Sequence, residues 1–226
     1  MGDKIIFRQI TSTKPIVKYL EETINTHLDM GQKVLWLVPG GSSINIATEV
    51  SKLLSRNHLS NLVVTLTDER YGPIGHKDSN WLQLKKAGFS LPKAKLIPLL
   101  GGDSLGAVVR RYNNVITDAL KTVDYSLGLF GVGGDGHITG VKPGSSAVNS
   151  EDLAAGYAWE DYTRITMTPR AIKMLDEAVV YMVGEEKHEV IKSLGEENVP
   201  IEEQPAQILK QLKKVTVYND YLGENT

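Results

Sequence analysis

Residues 34–43 read VLWLVPGGSS: five apolar residues in a row, then a proline, two glycines and two serines. An unbroken apolar run of this length marks a strand buried on both faces, as parallel sheets require. Downstream, Ile46, Val50, Leu53 and Leu54 fall on one side of a helix. Strand, glycine loop and helix make one half of a parallel α/β unit. The pattern repeats in both directions. Upstream, residues 4–10 carry a short strand (Ile5, Ile6, Phe7). A helix follows from near Ser12 to before Gly31, with Pro15 in its first turn and Ile16, Leu20, Ile24 and Leu28 along one face. Downstream, strands are expected at 61–67, 95–99, 125–130, 178–183 and 215–218. Helices are expected at 81–87, 105–120, from Pro169 past Ile172 and Leu175, through Val190, Ile191 and Leu194, and at 206–212. Residues 164–168 alternate as RITMT, and 145–162 read as an irregular polar excursion. The expected fold is α/β: a single domain over 1–226, with a mostly parallel central sheet flanked by helices, Rossmann-like.

Composition narrows the chemistry. The 226 residues carry 25 Lys plus Arg against 27 Asp plus Glu, a formal net charge of -2. That balance argues against non-specific nucleic-acid binding and leaves room for a local basic pocket. With no cysteine, thiol nucleophiles, Cys-liganded zinc, iron–sulfur clusters and disulfides are excluded. The five histidines include no H-x-x-x-H pair, and no metal site is expected. No apolar run approaches the ~20 residues of a membrane helix, and the first fifteen residues lack the apolar centre of a signal peptide. A cytoplasmic protein without membrane or nucleic-acid partners is the expectation.

Three polar segments begin where predicted strands end: 39–43, 68–71 and 131–137, with 184–187 as a fourth. In open parallel sheets ligands gather outside the carboxyl ends of the strands, so these loops are candidates for one pocket. Gly40, Gly41, Ser42 and Ser43 lead into a helix. They can cradle a phosphate on free N–H groups and hydroxyls, or form an ordinary turn with a serine cap. There is no GxxxxGK[ST] sequence. Residues 131–136 match G-x-G-x-x-G by letter, but no clear apolar helix follows, so a nucleotide site is not expected. Asp68-Glu69-Arg70 offers carboxylates and a guanidinium fork for an anion, or a solvated ion-pair cluster. Asp78-Ser79-Asn80 resembles a helix cap. Asp135-Gly136-His137 is the sharpest signal: a histidine suited to base catalysis, with a carboxylate near enough to set its tautomer. Lys187 can add positive charge. His27, His58, His76 and His188 read as surface or packing residues.

Taken in order, PGGSS, TDERYGPIGHKDSN, GVGGDGHITGVKPGSS, RITMT and GEEK resemble the 6-phosphogluconolactonase family, which shares its fold with glucosamine-6-phosphate deaminases. The resemblance runs from about residue 5 to residue 220. It implies hydrolysis of 6-phosphogluconolactone to 6-phosphogluconate in the oxidative pentose phosphate pathway, without metal or other cofactor. The partner it implies is a phosphorylated sugar lactone. By the same resemblance Gly40, Gly41 and Ser42 cradle the phosphate, Arg70 and Lys187 assist, and His137 is the general base. Asp68 and Asp135 match acidic positions and, with His137, are the catalytic candidates. Arg70 and RITMT are lactonase-like. Ile138 and Pro143-Gly144-Ser145-Ser146 are closer to the deaminases, and Gly72 replaces a valine common in lactonases. Lys142 matches neither branch: lactonases carry phenylalanine before that proline, and deaminases a relay glutamate. A deaminase-like enzyme and a non-catalytic sugar-phosphate-binding regulator are the alternative expectations.

Overall fold

The computed structural model describes residues 5–55 and 57–221. Lys4, included in the first predicted strand, lies outside them. In chain order the elements begin β1 (Ile6–Gln9), α1 (Lys14–Asp29), β2 (Val34–Val38), α2 (Ile44–Leu53), β3 (Leu62–Leu66), β4 (Asp68–Arg70), α3 (Asn80–Lys86) and β5 (Lys95–Ile97). They continue α4 (Leu105–Thr122), β6 (Tyr125–Gly131), β7 (Ala154–Ala158), β8 (Thr163–Met167), α5 (Pro169–Ile172), β9 (Glu177–Met182), α6 (His188–Glu196) and β10 (Val215–Asn219).

Seven strands form one sheet in the order β1-β10-β9-β6-β2-β3-β5, and every pairing in it is parallel. The VLWLV strand lies at its interior, with all five residues buried. Its apolar run therefore reflects burial on two faces. From β2 the chain winds outward through β3 to β5, then returns to β6 on the other side of β2 and winds out through β9 and β10. The loops after β2 and β6 consequently diverge and leave a crevice between them, the place where such sheets bind ligands.

A second sheet, β4-β8-β7, is antiparallel and sits at the carboxyl ends of the first. Two backbone bonds join them: the Thr67 N–H donates to the Val38 carbonyl at 2.9 Å, and the Met167 N–H to the Thr67 carbonyl at 2.9 Å. This sheet corrects two expectations. Residues 68–70 form a strand paired with Thr166, Ile165 and Arg164, where a polar loop was expected. The excursion at 145–162 contains β7, whose small residues Ala154, Ala155 and Gly156 let α4 pack against it. Two smaller corrections follow. Leu53 is 57% exposed, because the buried arc of α2 centres on Ala47 and Ser51 and takes in polar Thr48, leaving Leu53 just past its edge. The last predicted helix is a 3₁₀ segment, Pro205–Gln211. No helix among the described residues is long and apolar enough to cross a membrane.

At the opposite end of the parallel sheet a polar plug replaces apolar packing. Glu177 opens β9 and is fully buried. Its carboxylate accepts from the Tyr19 hydroxyl at 2.5 Å, from the Tyr125 hydroxyl, and from Lys214 Nζ at 3.0 Å. Burial, followed by the bond to Glu177, raises both tyrosines above the ordinary phenol range. Truncating the carboxylate strands these donors. Glu177→Ala should cost about 3 kcal/mol in urea unfolding. Because the plug lies far from the strand ends where ligands bind, ligand binding there should be unchanged. A loss under ~1 kcal/mol would refute this role for Glu177.

Candidate active site

The crevice is a cavity of about 240 Å³ that receives residues from every loop singled out at the strand ends. Pro39, Gly40, Gly41 and Ser42 arrive from β2, Asp68 and Arg70 from β4, His137 from the loop after β6, and Lys187 from the turn after β9. A larger surface groove of about 640 Å³, between residues 148–151, α5 and residues 201–211, holds no histidine and none of these loops.

On the β2 side, Gly41–Ser43 form a 3₁₀ turn that runs directly into α2. Neither start carries a side-chain cap, so the serine-cap reading does not describe this turn. Its N–H groups and the exposed Ser42 hydroxyl remain for an anion. Ser43, expected beside Ser42, is fully buried and lies outside the cavity lining. Gly40 is required by close packing: a Cβ there would come within 2.1 Å of Asn80 Oδ1.

β4 presents alternate side chains to two environments, as a strand must. Glu69 turns inward and accepts from the N–H groups of Arg70, Asn80 and Trp81 and from the Ser79 hydroxyl, at 2.6–3.1 Å. Burial pushes this carboxyl up, against the pull of those donors. Ser79 also caps α3, as expected, by accepting from the Leu82 N–H. Asp68 and Arg70 turn toward the cavity. The Asp68 carboxylate accepts from Thr67 Oγ1 at 3.0 Å and from Asn80 Nδ2 at 3.3 Å. Arg70 donates to the Asp78 carbonyl at 3.0 Å and stands 4.9 Å over the Tyr162 ring. Arg164, on β8, shares that ring at 5.9 Å and donates to Asp161 at 2.7 Å. Each arginine keeps a buried Nε without a protein partner.

The histidine loop is closed on itself. Val132 bridges Ile138, the Gly133 N–H donates to the His137 carbonyl at 3.0 Å, and the Gly136 N–H to the Gly133 carbonyl at 3.0 Å. His137 lies against Gly133, where a Cβ would sit 2.2 Å from the ring. His137 Nδ1 is 2.5 Å from Asp135 Oδ1. A carboxylate at that distance requires the proton on Nδ1, which leaves Nε2 as the free acceptor. Lys142 Nζ donates to the other carboxylate oxygen, Oδ2, at 2.9 Å. Burial alone would raise the Asp135 carboxyl. The bonds from His137 and Lys142 outweigh it and hold the group well below the ordinary carboxylate range. Thr139, next in the lining, adopts a left-handed backbone (φ 55°) and is held by Thr166 of β8 at 2.8 Å.

The crevice thus gathers Gly40, Gly41, Ser42, Asp68, Arg70, His137 and Lys187, with Asp135 directly behind the imidazole. Arg164, Asn80 and Thr139 also line it and were not expected there. Asn80 carried a signal, but one for a helix cap. Arg164 opened the recognised RITMT run, with nothing local to aim it at a site. Of the remaining histidines, His76 bonds the Arg70 carbonyl, His188 pairs with Asp220, His27 stacks on Tyr125, and His58 lies in the turn before β3, away from the cavity lining.

A carboxylate-held imidazole inside a cationic crevice, at the strand ends of a parallel sheet, defines an α/β protein equipped for acid–base chemistry on an anion. The chain belongs to the family described as glucosamine-6-phosphate isomerases/6-phosphogluconolactonase, which matches residues 11–218. No curated protein matches it in a sequence search. Among solved structures it is similar to a 6-phosphogluconolactonase from Thermotoga maritima (TM-score 0.82, 18% identity, 96% of this chain and 99% of that one). It is similar also to a 6-phosphogluconolactonase from Shewanella baltica OS155 (0.81, 18%, 97% and 99%). A monomeric glucosamine-6-phosphate deaminase matches comparably (0.79, 20%, 95% and 97%). At these identities the likeness establishes the fold.

The depressed Asp135 carboxyl has a direct test. Its stabilising pairing is complete above the ordinary range near pH ~4 and is lost only as pH falls through its lower native value. The Asp135 carboxyl carbon, followed by NMR, should remain in its ionised position at pH 3. A midpoint near ~4 would show that the pairing does not hold in solution.

Proposed function

We propose that the protein hydrolyses 6-phosphogluconolactone to 6-phosphogluconate. The observation that carries this reading is the division of the cavity into an anion cradle and a base. Ser42, Arg70, Arg164 and Lys187 surround one lining, and His137, with its tautomer set by Asp135, belongs to the same lining. The phosphate docks on the α2 start and the cationic side chains. His137 Nε2 takes a proton from water as that water's oxygen bonds to the lactone C1. The carbonyl becomes a tetrahedral oxyanion, stabilised by the charge of the imidazolium formed beside it. The Gly133 and Gly136 N–H groups are engaged within the loop and do not serve the oxyanion. Collapse re-forms the carbonyl and breaks the bond from C1 to the ring oxygen, which receives the proton from the imidazolium. One water is consumed and one carboxylic acid is released.

Lys142 favours this reading over deamination. By the resemblance, deaminases carry a glutamate of their proton relay at this position; here it holds an ammonium bonded to Asp135. Fresh lactone supplied to the protein should release acid faster than spontaneous ring opening, and glucosamine 6-phosphate should yield no ammonia. Ammonia release would establish the deaminase alternative. Binding of 6-phosphogluconate without turnover of either sugar would establish a regulator.

Two variants separate the roles. His137→Ala should fold normally and lose about 10²–10⁴-fold in kcat. Unchanged turnover would remove His137 from the mechanism. Arg164→Ala should raise KM for the phosphorylated lactone roughly tenfold or more, with a smaller effect on kcat. Hydrolysis of the lactone lacking phosphate should be little affected. Equal losses on both lactones would place Arg164 outside the phosphate site.

A further inference from the structure

Lys142 Nζ does two things at once. It lies 2.9 Å from Asp135 Oδ2, and it lies 3.2 Å from the same His137 Nδ1 that faces Asp135 Oδ1. An ammonium has no acceptor, and an Nδ1 that donates to a carboxylate has no free lone pair. The second contact is therefore a charge held against the ring edge, not a hydrogen bond. The lysine is anchored to stay there. Its own N–H donates to the Tyr157 hydroxyl at 3.2 Å, and that hydroxyl donates to the Gly140 carbonyl at 2.5 Å. Its carbonyl accepts from Ser145, and the next turn is tied by Gly144 to the Glu202 carbonyl. Its side chain is only 17% exposed.

We propose that Lys142 is a positioning residue of this site: it fixes the Asp135 carboxylate and offsets the negative charge that Asp135 presents to the imidazole. The proposal rests on the reading of His137 as the base. A lone ionised carboxylate against Nδ1 favours the imidazolium and so withdraws the base as pH falls. A cation at the same ring edge opposes this, and the ring faces a nearly neutral pair. The other charged groups on the cavity lining are Asp68 and Arg70 from β4, Arg164 from β8 and Lys187 from the turn after β9. They remain in place when Lys142 is changed, so the change isolates the pair.

The test uses the whole chain and two readouts. In Lys142→Met, the acid limb of the kcat/KM profile should move up by roughly one pH unit. The titration midpoint of the His137 ring protons, followed by NMR, should move the same way. Lys142→Gln, which keeps a donor for Asp135 and removes the charge, should shift both similarly. Lys142→Arg should restore the wild-type profile. A folded Met or Gln variant with an unmoved acid limb and an unmoved ring titration overturns the proposal. The ring titration needs no turnover, so a protein inactive on the lactone would defeat the functional reading and still decide the role of Lys142. If Met unfolds the loop, the Gln and Arg pair decides the question alone.

Discussion

The carboxylate of Asp135 has two oxygens and three donors, and the strand-end crevice is arranged around that fact. One oxygen receives the imidazole Nδ1–H and the His137 backbone N–H, and the other an ammonium. A carboxylate shared in this way can neither rotate nor protonate easily, and so the histidine is held in one tautomer. Such an arrangement needs a loop that cannot drift. The loop is clamped on one side by its continuity with β6 and the Val132–Ile138 bridge. On the other side, Thr166 of β8 accepts from the Gly140 N–H and bonds Thr139. The glycine-rich letters of residues 131–136 serve this geometry: at position 133 a side chain would collide with the ring.

The parallel sheet was legible because burial on both faces leaves an unbroken apolar run, a signal that needs no partner to interpret. β2, β6 and β9 carry such runs, and the loops at their ends are where ligands gather by topology alone. The antiparallel sheet was not legible for the converse reason. Asp68–Arg70 is polar at all three positions and becomes a strand only through its register with Arg164–Thr166, nearly a hundred residues later. What stabilises it is also non-local, since Glu69 is buried against the N–H groups that open α3. β7 was hidden by small residues that make sense only once α4 lies against them.

The site divides along the same line. Gly40, Gly41, Ser42, His137 and Lys187 stand at ends of parallel strands and were visible as chemistry-bearing loops. Ser43 follows Ser42 in sequence, but the 3₁₀ turn carries its hydroxyl inward. Arg164 was hidden in an alternating run, because alternation states that two faces differ and not what either face meets. Lys142 was visible only as a charge in an unexpected place. Its partner lies seven residues back, across a loop whose path local sequence does not specify.

Two sheets therefore share the work. The parallel sheet supplies the glycine–serine cradle, the imidazole and the lysine after β9. The antiparallel sheet supplies both arginines, above a tyrosine ring common to them. Besides the backbone bonds through Thr67, the halves meet where Asn80 packs on Gly40 and donates to the Asp68 carbonyl, and where the Gly140 N–H donates to Thr166. On the proposed reading, anion recognition draws mainly on side chains whose charge is independent of residue 142, whereas the electrostatics of the proposed base depend on it directly. A substitution at 142 should then change what the histidine does to a bound sugar without altering how the sugar is held. Such a separation would let one cradle serve different reactions, in keeping with a family described by both isomerases and lactonases.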